Sequence, residues 1–301
     1  MTLIIGSLQL GLIYGLLALG VYITFRILNL PDLTVEGSFT LGLAVSASLT
    51  MKGHPLLGLI LGILAGACAG VLTGLFQTKC GIHPILAGIL TMSGLYSINL
   101  FIMGSSSNLT LIGHDTLFQI MYKAFPGLSK DIIKAVLALL FCLVFFLLLS
   151  WFFKTHLGLC IRATGDNEDM VRASSINVDV TKIIALAIAN AMVALSGGVL
   201  AQYQGFADIG SGVGILVVGL ASVIIGDVIF GRRSVTIGFV SAIVGSLIYR
   251  FIIAIALQTS IFPAYMLKFV SAVIVFAALS LPALKSQIAL RKIRNKAKKK
   301  A

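Results

Sequence analysis

Residues 135–153 run for nineteen positions without a charged side chain, and that stretch constrains the chain more than any other feature. About 20 predominantly apolar residues in a helix cover about 30 Å of hydrocarbon. The stretch holds seven Leu, five Phe and two Val, which together favour the bilayer by roughly 4 to 8 kcal/mol. The rest of the chain agrees: 58% of residues are apolar, 11% are charged and the mean hydropathy is +1.08, whereas a soluble domain carries about 25% charged residues. This is a chain for which lipid is the solvent.

Apolar stretches bounded by Pro, Gly and charge give about nine candidate crossings, at 3–25, 37–51, 55–78, 84–103, 131–153, 182–203, 214–230, 235–257 and 265–284. The first is too long for a signal-peptide core and is kept as a crossing. The expected fold is therefore an all-α polytopic membrane protein, with a membrane domain over 1–285 and a basic tail over 286–301. Seven of the 22 Lys and Arg lie in that tail, from Arg291 to Lys300, as headgroup-facing residues rather than a nucleic-acid surface. With the tail inside, 154–181 and Gly231-Arg232-Arg233 are also inside, and 104–130 and 204–213 outside. About sixteen of the basic residues then fall on the inner side, as the positive-inside rule requires.

Gly58, Gly62, Gly66, Gly70 and Gly74 recur every four residues and align on one helix face, where a neighbouring backbone can approach closely. The four cysteines have no CxxC spacing and no metal set is indicated. Asn29-Leu30-Pro31-Asp32 reads as a helix break, with Asp32 or Thr34 capping a new helix, so that 29–38 is a broken or re-entrant segment. Asp208 to Gly214, with three alternating glycines, is a second irregular segment. Asn29, Asp32, Thr34, Glu36, Ser38, Asn190 and Asp208 are the candidate solute-path residues. Gln77, Asn99, Asp227, Arg250 and Lys268 are further polar residues in or near helices; Asp227 falls near Arg232 and Arg233, and Arg250 can snorkel outward.

In the long loop, Asp166 can cap a short amphipathic helix, Glu168 and Asp169 favour its first turn, and Met170, Ala173 and Ser174 form a small face. A loop of this length between membrane helices suggests a docking surface. Its Arg162-Ala163, acidic turn, Ala173-Ser174 and Ile176-Asn177 resemble the coupling loop of branched-chain-amino-acid-type permeases of ATP-binding-cassette importers. The family often has Gly where this chain has Ser175. Residues 11–20, Gly-Leu-Ile-Tyr-Gly-Leu-Leu-Ala-Leu-Gly, resemble the first helix of the same permeases, and 32–38 is similar to an Asp-Leu-Ser-Val-Gly element of sugar permeases in the superfamily, with Glu36 as an extra residue. The phrase as a whole is most similar to permeases for tryptophan or tyrosine.

The resemblance implies that Arg162, Asp166, Glu168, Asp169, Met170, Arg172, Ala173, Ser174 and Asn177 meet an ATPase subunit. It also implies an extracellular or periplasmic binding protein, a homodimer of permeases, a bacterial inner membrane, and an amino acid, aromatic first, as solute. ATP and Mg would sit on the partner, since the chain has no Gly-Lys dipeptide and so no phosphate loop; no cofactor is expected on this chain. A sugar or nucleoside permease of the same superfamily, or an ion-coupled carrier using Glu36, are the alternatives.

Overall fold

In a computed structural model of the chain, residues 2–125, 127, 129–231 and 234–258 are described, with a few isolated positions beyond. Apart from those positions, the predicted segment 265–284 lies outside the described residues, as do Lys268, Arg232, Arg233 and the basic tail.

The described residues are almost entirely helical. Helix α1 spans Thr2–Tyr22 and runs into a π-helical turn, Ile23–Ile27. After the break come α2 (Thr34–Met51), α3 (Pro55–Thr78) and α4 (Pro84–Ile102). The prolines opening α3 and α4 sit where a missing N–H costs nothing. A short strand β1 (Asn108–Thr110) and helix α5 (Leu117–Ala124) precede α6 (Lys130–Phe152), α7 (His156–Asp166) and α8 (Glu168–Ala173). Helix α9 (Val178–Gln204), strand β2 (Phe206–Asp208), a 3-10 turn (Ile209–Gly212), α10 (Ile215–Phe230) and α11 (Val235–Gln258) complete the order.

Seven helical segments among the described residues are long and apolar enough to cross a membrane, which makes this a multi-pass membrane protein. Helix α2 is not one of the seven. It carries Glu36, Ser38, Thr40, Ser46, Ser48 and Thr50 and is buried along most of its length against α3, α4 and α9. It is a helix wrapped in protein, which is why it tolerates so many polar groups.

Helix α9 lies at the centre, packed on α1, α2 and α3. The glycine row of α3 permits this packing. Gly58 faces the Ser46 backbone and Gly62 the Gly42 backbone, both in α2, whereas Gly66, Gly70 and Gly74 face Asn190, Leu186 and Ile183 of α9. Hydrocarbon supplies no hydrophobic drive between helices, so backbone-to-backbone contact and interhelical hydrogen bonds hold the bundle.

The loops divide between two faces. On one, the α1–α2 break, the 79–83 turn and the α7–α8 loop come together: Asn29 Nδ2 donates to the Gly165 carbonyl at 3.0 Å and Lys79 pairs with Asp179 at 3.3 Å. On the other, β1 pairs antiparallel with β2 in the register Asn108 to Asp208. Arg26 and Asp227 form an ion pair of 2.6 Å between the π-helical end of α1 and the end of α10. Among the described residues, the ion-pair partner of Asp227 is Arg26, 201 residues away in sequence. Arg250 is placed differently from expectation, with its guanidinium 3.8 Å from the centre of the Tyr14 ring.

Two positions within the glycine row differ enough to be tested. A Cβ on Gly62 would meet only backbone at 3.6 Å and 3.7 Å, whereas one on Gly70 would run into the Leu186 carbonyl. Gly62→Ala is expected to leave thermal inactivation in detergent unchanged, and Gly70→Ala to cost about 1–3 kcal/mol, seen as a lowered inactivation temperature.

Candidate functional site

The α1–α2 break exposes backbone polar groups inside a bundle, where each needs a partner. The π turn ends in a left-handed Asn29 (φ 54), a conformation Asn tolerates better than most residues. The Leu30 N–H turns back to the Thr24 carbonyl at 3.0 Å. Asp32 then starts α2: its Oδ1 accepts from the Thr34 N–H at 2.9 Å, and its Oδ2 accepts from Asn190 Nδ2 at 2.8 Å. The same Nδ2 donates to the Leu186 carbonyl at 3.0 Å, and Asn190 Oδ1 accepts from Ser38 Oγ at 2.7 Å. Thr34 uses its hydroxyl elsewhere, 2.8 Å from Thr73, which in turn donates to Thr91 at 2.9 Å, linking α2, α3 and α4. Of the predicted path residues, Asp32, Thr34, Ser38 and Asn190 are therefore buried, bonded to one another or to neighbouring helices, and line neither of the two cavities described below.

Glu36 is placed differently. Beyond β2 the chain turns back into the bundle, and the 3-10 turn lies against α2, with Gly212 on the Glu36 carbonyl and the Thr40 hydroxyl. Gly214, left-handed at φ 83, precedes α10, and its N–H donates to Glu36 Oε1 at 3.0 Å. This contact lies beside the middle of α9: Ser38 packs at Asn190, the centre of that helix, and Phe39 at Gly197, two turns further on, and stacks on Tyr14 at a centroid distance of 6.4 Å. Helix α10 thus begins inside the bundle, with a carboxylate on its electropositive end. Between α2, α4 and this turn is a cavity of about 480 Å³, walled by Glu36, Thr40, Met92, Tyr96, Asn99 and Val213 among others. Asp208 lies outside it, on the strand pair.

On the opposite side of the molecule, the long loop folds as two helices. Thr155 caps α7, accepting from the Gly158 N–H at 3.4 Å. Asp166, expected to cap the next helix, is the last residue of α7; Asn167 takes that role, accepting from the Met170 N–H at 3.1 Å. Helix α7 includes Asp166, so the chain becomes extended only at Asn167. Glu168 pairs with Lys182 at 2.5 Å and Arg172 with Asp179 at 3.6 Å. Val171 is buried, while Arg162, Asp166, Asp169, Met170, Arg172, Ala173 and Ser174 are exposed. Met170 is 69% exposed, an apolar side chain turned outward on a polar face. Asn177 caps α9 by accepting from Asp179 and Val180.

A second cavity, of about 820 Å³, lies at the face of the strand pair, with Lys130 and Lys134 over the rings of Tyr122 and Tyr203 at 5.0 Å and 4.8 Å. No sequence signal pointed to the strand pair. Helix α5 beside it did have one, the Thr116-x-x-Gln119 capping box, with both bonds made.

A bundle of crossing helices with one broken helix, one re-entrant turn and a paired, exposed loop of two short helices is the architecture of a membrane permease. The chain belongs to the family described as branched-chain amino acid transport system / permease component, which matches it over residues 3–279, and it is a permease subunit of the ATP-binding-cassette importer type. It is 40% identical over 281 residues, 93% of this chain and 91% of the relative, to the tyrosine transport system permease protein of Clostridioides difficile. It is 30% identical over 200 residues to the ribose import permease protein RbsC of Bacillus subtilis, covering 65% and 59% of the two chains. With the autoinducer 2 import system permease protein LsrC of Salmonella typhimurium it shares 27% over 243 residues, 79% of this chain and 66% of that one. No solved structure matches the chain.

Asn190→Leu removes the amide that donates to Oδ2 of the buried Asp32 carboxylate. A loss of about 3 kcal/mol, measured as earlier unfolding of the detergent-purified protein, is the expected result. Ser175, at φ 60, occupies a conformation that costs a non-glycine residue about 1–2 kcal/mol. Ser175→Gly is accordingly expected to protect the 174–177 turn from proteolysis.

Proposed function

We propose that this permease carries an amino acid, an aromatic one first, through a path that passes the Glu36 cavity, and that the exposed surface of α7 and α8 docks an ATPase subunit. The observation that carries this reading is the meeting of the two irregular segments, with Glu36 over the start of α10 at mid-depth. Helix ends and unwound backbone at the membrane centre are where transporters hold solutes. The likeness to a tyrosine transport permease supports the choice of solute.

The coupling surface consists of Arg162, Asp166, Glu168, Asp169, Met170, Arg172, Ala173, Ser174 and Asn177. Its link to the path is short, because Gly165 rests on the Ile27 carbonyl and takes the Asn29 bond. Closure of the ATPase would thus push on the break that begins α2. ATP and Mg belong to that subunit, and this chain has no enzymatic role of its own. An external binding protein delivers the solute at the face of the strand pair. The cavity carries a carboxylate and opens beside Tyr96 and Val213, which are 57% and 60% exposed. A carboxylate at that depth belongs on a water-filled path, not against lipid, so this side is assigned to the interface with a second copy of the chain, the two enclosing the path. The long-loop face is cytoplasmic and the membrane is the bacterial inner one.

The complete system in proteoliposomes is expected to take up labelled tyrosine, tryptophan or leucine only with ATP, and a Glu168→Ala, Asp169→Ala, Arg172→Ala triple variant to lose at least tenfold in uptake while still purifying as a folded protein. Uptake driven by an ion gradient without ATP would replace this reading with a secondary carrier, and uptake of ribose but of no amino acid would move the solute class to sugars.

A further inference from the structure

The larger cavity, of about 820 Å³ at the face of the strand pair, is lined by Lys123, Lys130 and Lys134 and by no carboxylate among the described residues. Asp115 pairs with Lys123 at 2.6 Å. Lys130 and Lys134 lie over the rings of Tyr122 and Tyr203, and neither forms an ion pair among the described residues. An ammonium over a ring gains little at an exposed site and keeps its N–H donors. Lys130 is exposed and Lys134 partly so, hence both can be reached from outside. Asp131 stands beside them on α6 without lining the cavity. Even with Asp131 and Asp115 counted, cations are in excess, and the cavity favours an anion.

The walls are tied together by hydrogen bonds of their own. Gln202 Oε1 accepts from the Leu117 N–H at 3.0 Å, which joins α5 to the end of α9. The Tyr203 hydroxyl donates to Gln9 Oε1 at 2.7 Å, and Gln9 Nε2 donates to the Asp131 carbonyl at 2.6 Å, which joins α9, α1 and α6. Helix α6 sets the direction of its lysines. Lys130, Lys134 and the buried Leu137 follow one another on one face, whereas Ile132, Val136, Leu139 and Leu143 are exposed on the opposite one. The ammonium groups thus turn away from the side left to lipid, which disfavours a lipid headgroup as the anion. Phe118 and Phe206 join the two tyrosines in an aromatic wall, and the volume falls within the range of sites that enclose small ligands. Phe206 lines this cavity and Ile209, three residues on, lines the Glu36 cavity, so one short segment borders both.

We infer that this cavity is an outer vestibule that takes the solute by its carboxylate, held between Lys130 and Lys134, with the aromatic side chain against Phe206, before the solute enters the path. The inference rests on the amino-acid reading above, and it gives the permease a subsite of its own for the acid group.

The test is the rate at which a succinimidyl ester acylates each lysine of the permease–ATPase complex in phosphatidylcholine nanodiscs, without a binding protein, read peptide by peptide by mass spectrometry. Lys52, exposed and outside the cavity, is the internal reference. The probe is 3-(4-hydroxyphenyl)propionate, which has the carboxylate and the ring but no amine to consume the reagent. It is expected to slow acylation of Lys130 and Lys134 at least about threefold relative to Lys52, and its uncharged amide to leave both rates unchanged. Lys134→Gln is expected to abolish the protection of Lys130, and Lys134→Arg to keep it; the comparison of acid with amide needs no variant. No protection by the acid, equal protection by the amide, or protection that survives Lys134→Gln would overturn the site. So would protection conferred by phosphatidylglycerol nanodiscs and not by the acid, which would make it a lipid site, or by the binding protein and not by the acid, which would make it a docking surface. Each of these leaves the amino-acid reading standing, whereas a complete system that takes up no amino acid would overturn that reading instead.

Discussion

A single buried amide holds the arrangement together. Asn190, in the middle of α9, uses its oxygen for Ser38 and its nitrogen for Asp32 and its own helix. It thereby fastens both the start of α2 and the break that precedes it. In a membrane such a break survives only if protein supplies every partner that water would otherwise provide. Asp32 satisfies the first N–H of α2, the π turn of α1 satisfies Leu30, and the loop at Gly165 satisfies Asn29. Remove the central amide and two of these helices lose their common anchor.

The position of Asn190 depends in turn on the glycine row of α3. Gly66 lies on the Asn190 backbone and Gly70 on that of Leu186, a separation that any larger side chain would increase. The same closeness brings Thr73 within reach of Thr34 and Thr91, so that a hydroxyl relay ties three helices. By contrast, the start of α10 is held to α2 by the Glu36 carboxylate on one backbone N–H and by the packing of Gly212. The bundle therefore has a part tied by interhelical side-chain bonds, made of α2, α3, α4 and α9, and a re-entrant turn that meets α2 through a backbone N–H and a glycine. At the far end of α10 the Arg26–Asp227 pair closes onto α1. It sits on a π-helical turn, a local strain often found where helices move.

How much of this the sequence discloses follows from range. Pro31 and the polar residues around it mark the break, because Pro disfavours helix for itself and its predecessor. The spacing of five glycines marks a contact face, and the long charge-free stretches mark crossings. These are local signals. What they do not carry is the partner: Glu36 meets Gly214 178 positions later, and Arg26 meets Asp227 at a similar remove. Helix α2 was legible as apolar, but its seclusion from lipid depends on neighbours from three other segments. The shift of the cap from Asp166 to Asn167 shows the opposite limit, since both residue types cap well and only the length of the preceding helix decides between them. Asn99 stands out as a polar residue in an apolar helix, yet nothing local says that its nitrogen reaches the Gly37 carbonyl of α2.

These two limits bear on the proposed coupling. Only six residues separate Asn29, which touches the long loop, from Glu36, which touches the cavity, and four of them form the break and its cap. A displacement of Gly165 by an attached ATPase would reach the first turn of α2 before it reached any other element. Because α2 is tied along its length to α9 and α3, it is expected to pass on a small tilt rather than absorb it by bending. The contact that such a tilt would reach at the mouth of the cavity is Glu36 on Gly214. On the proposed coupling, a push at the membrane surface would change access at the cavity through α2, whose ties to α9 and α3 make it the rigid element between the two.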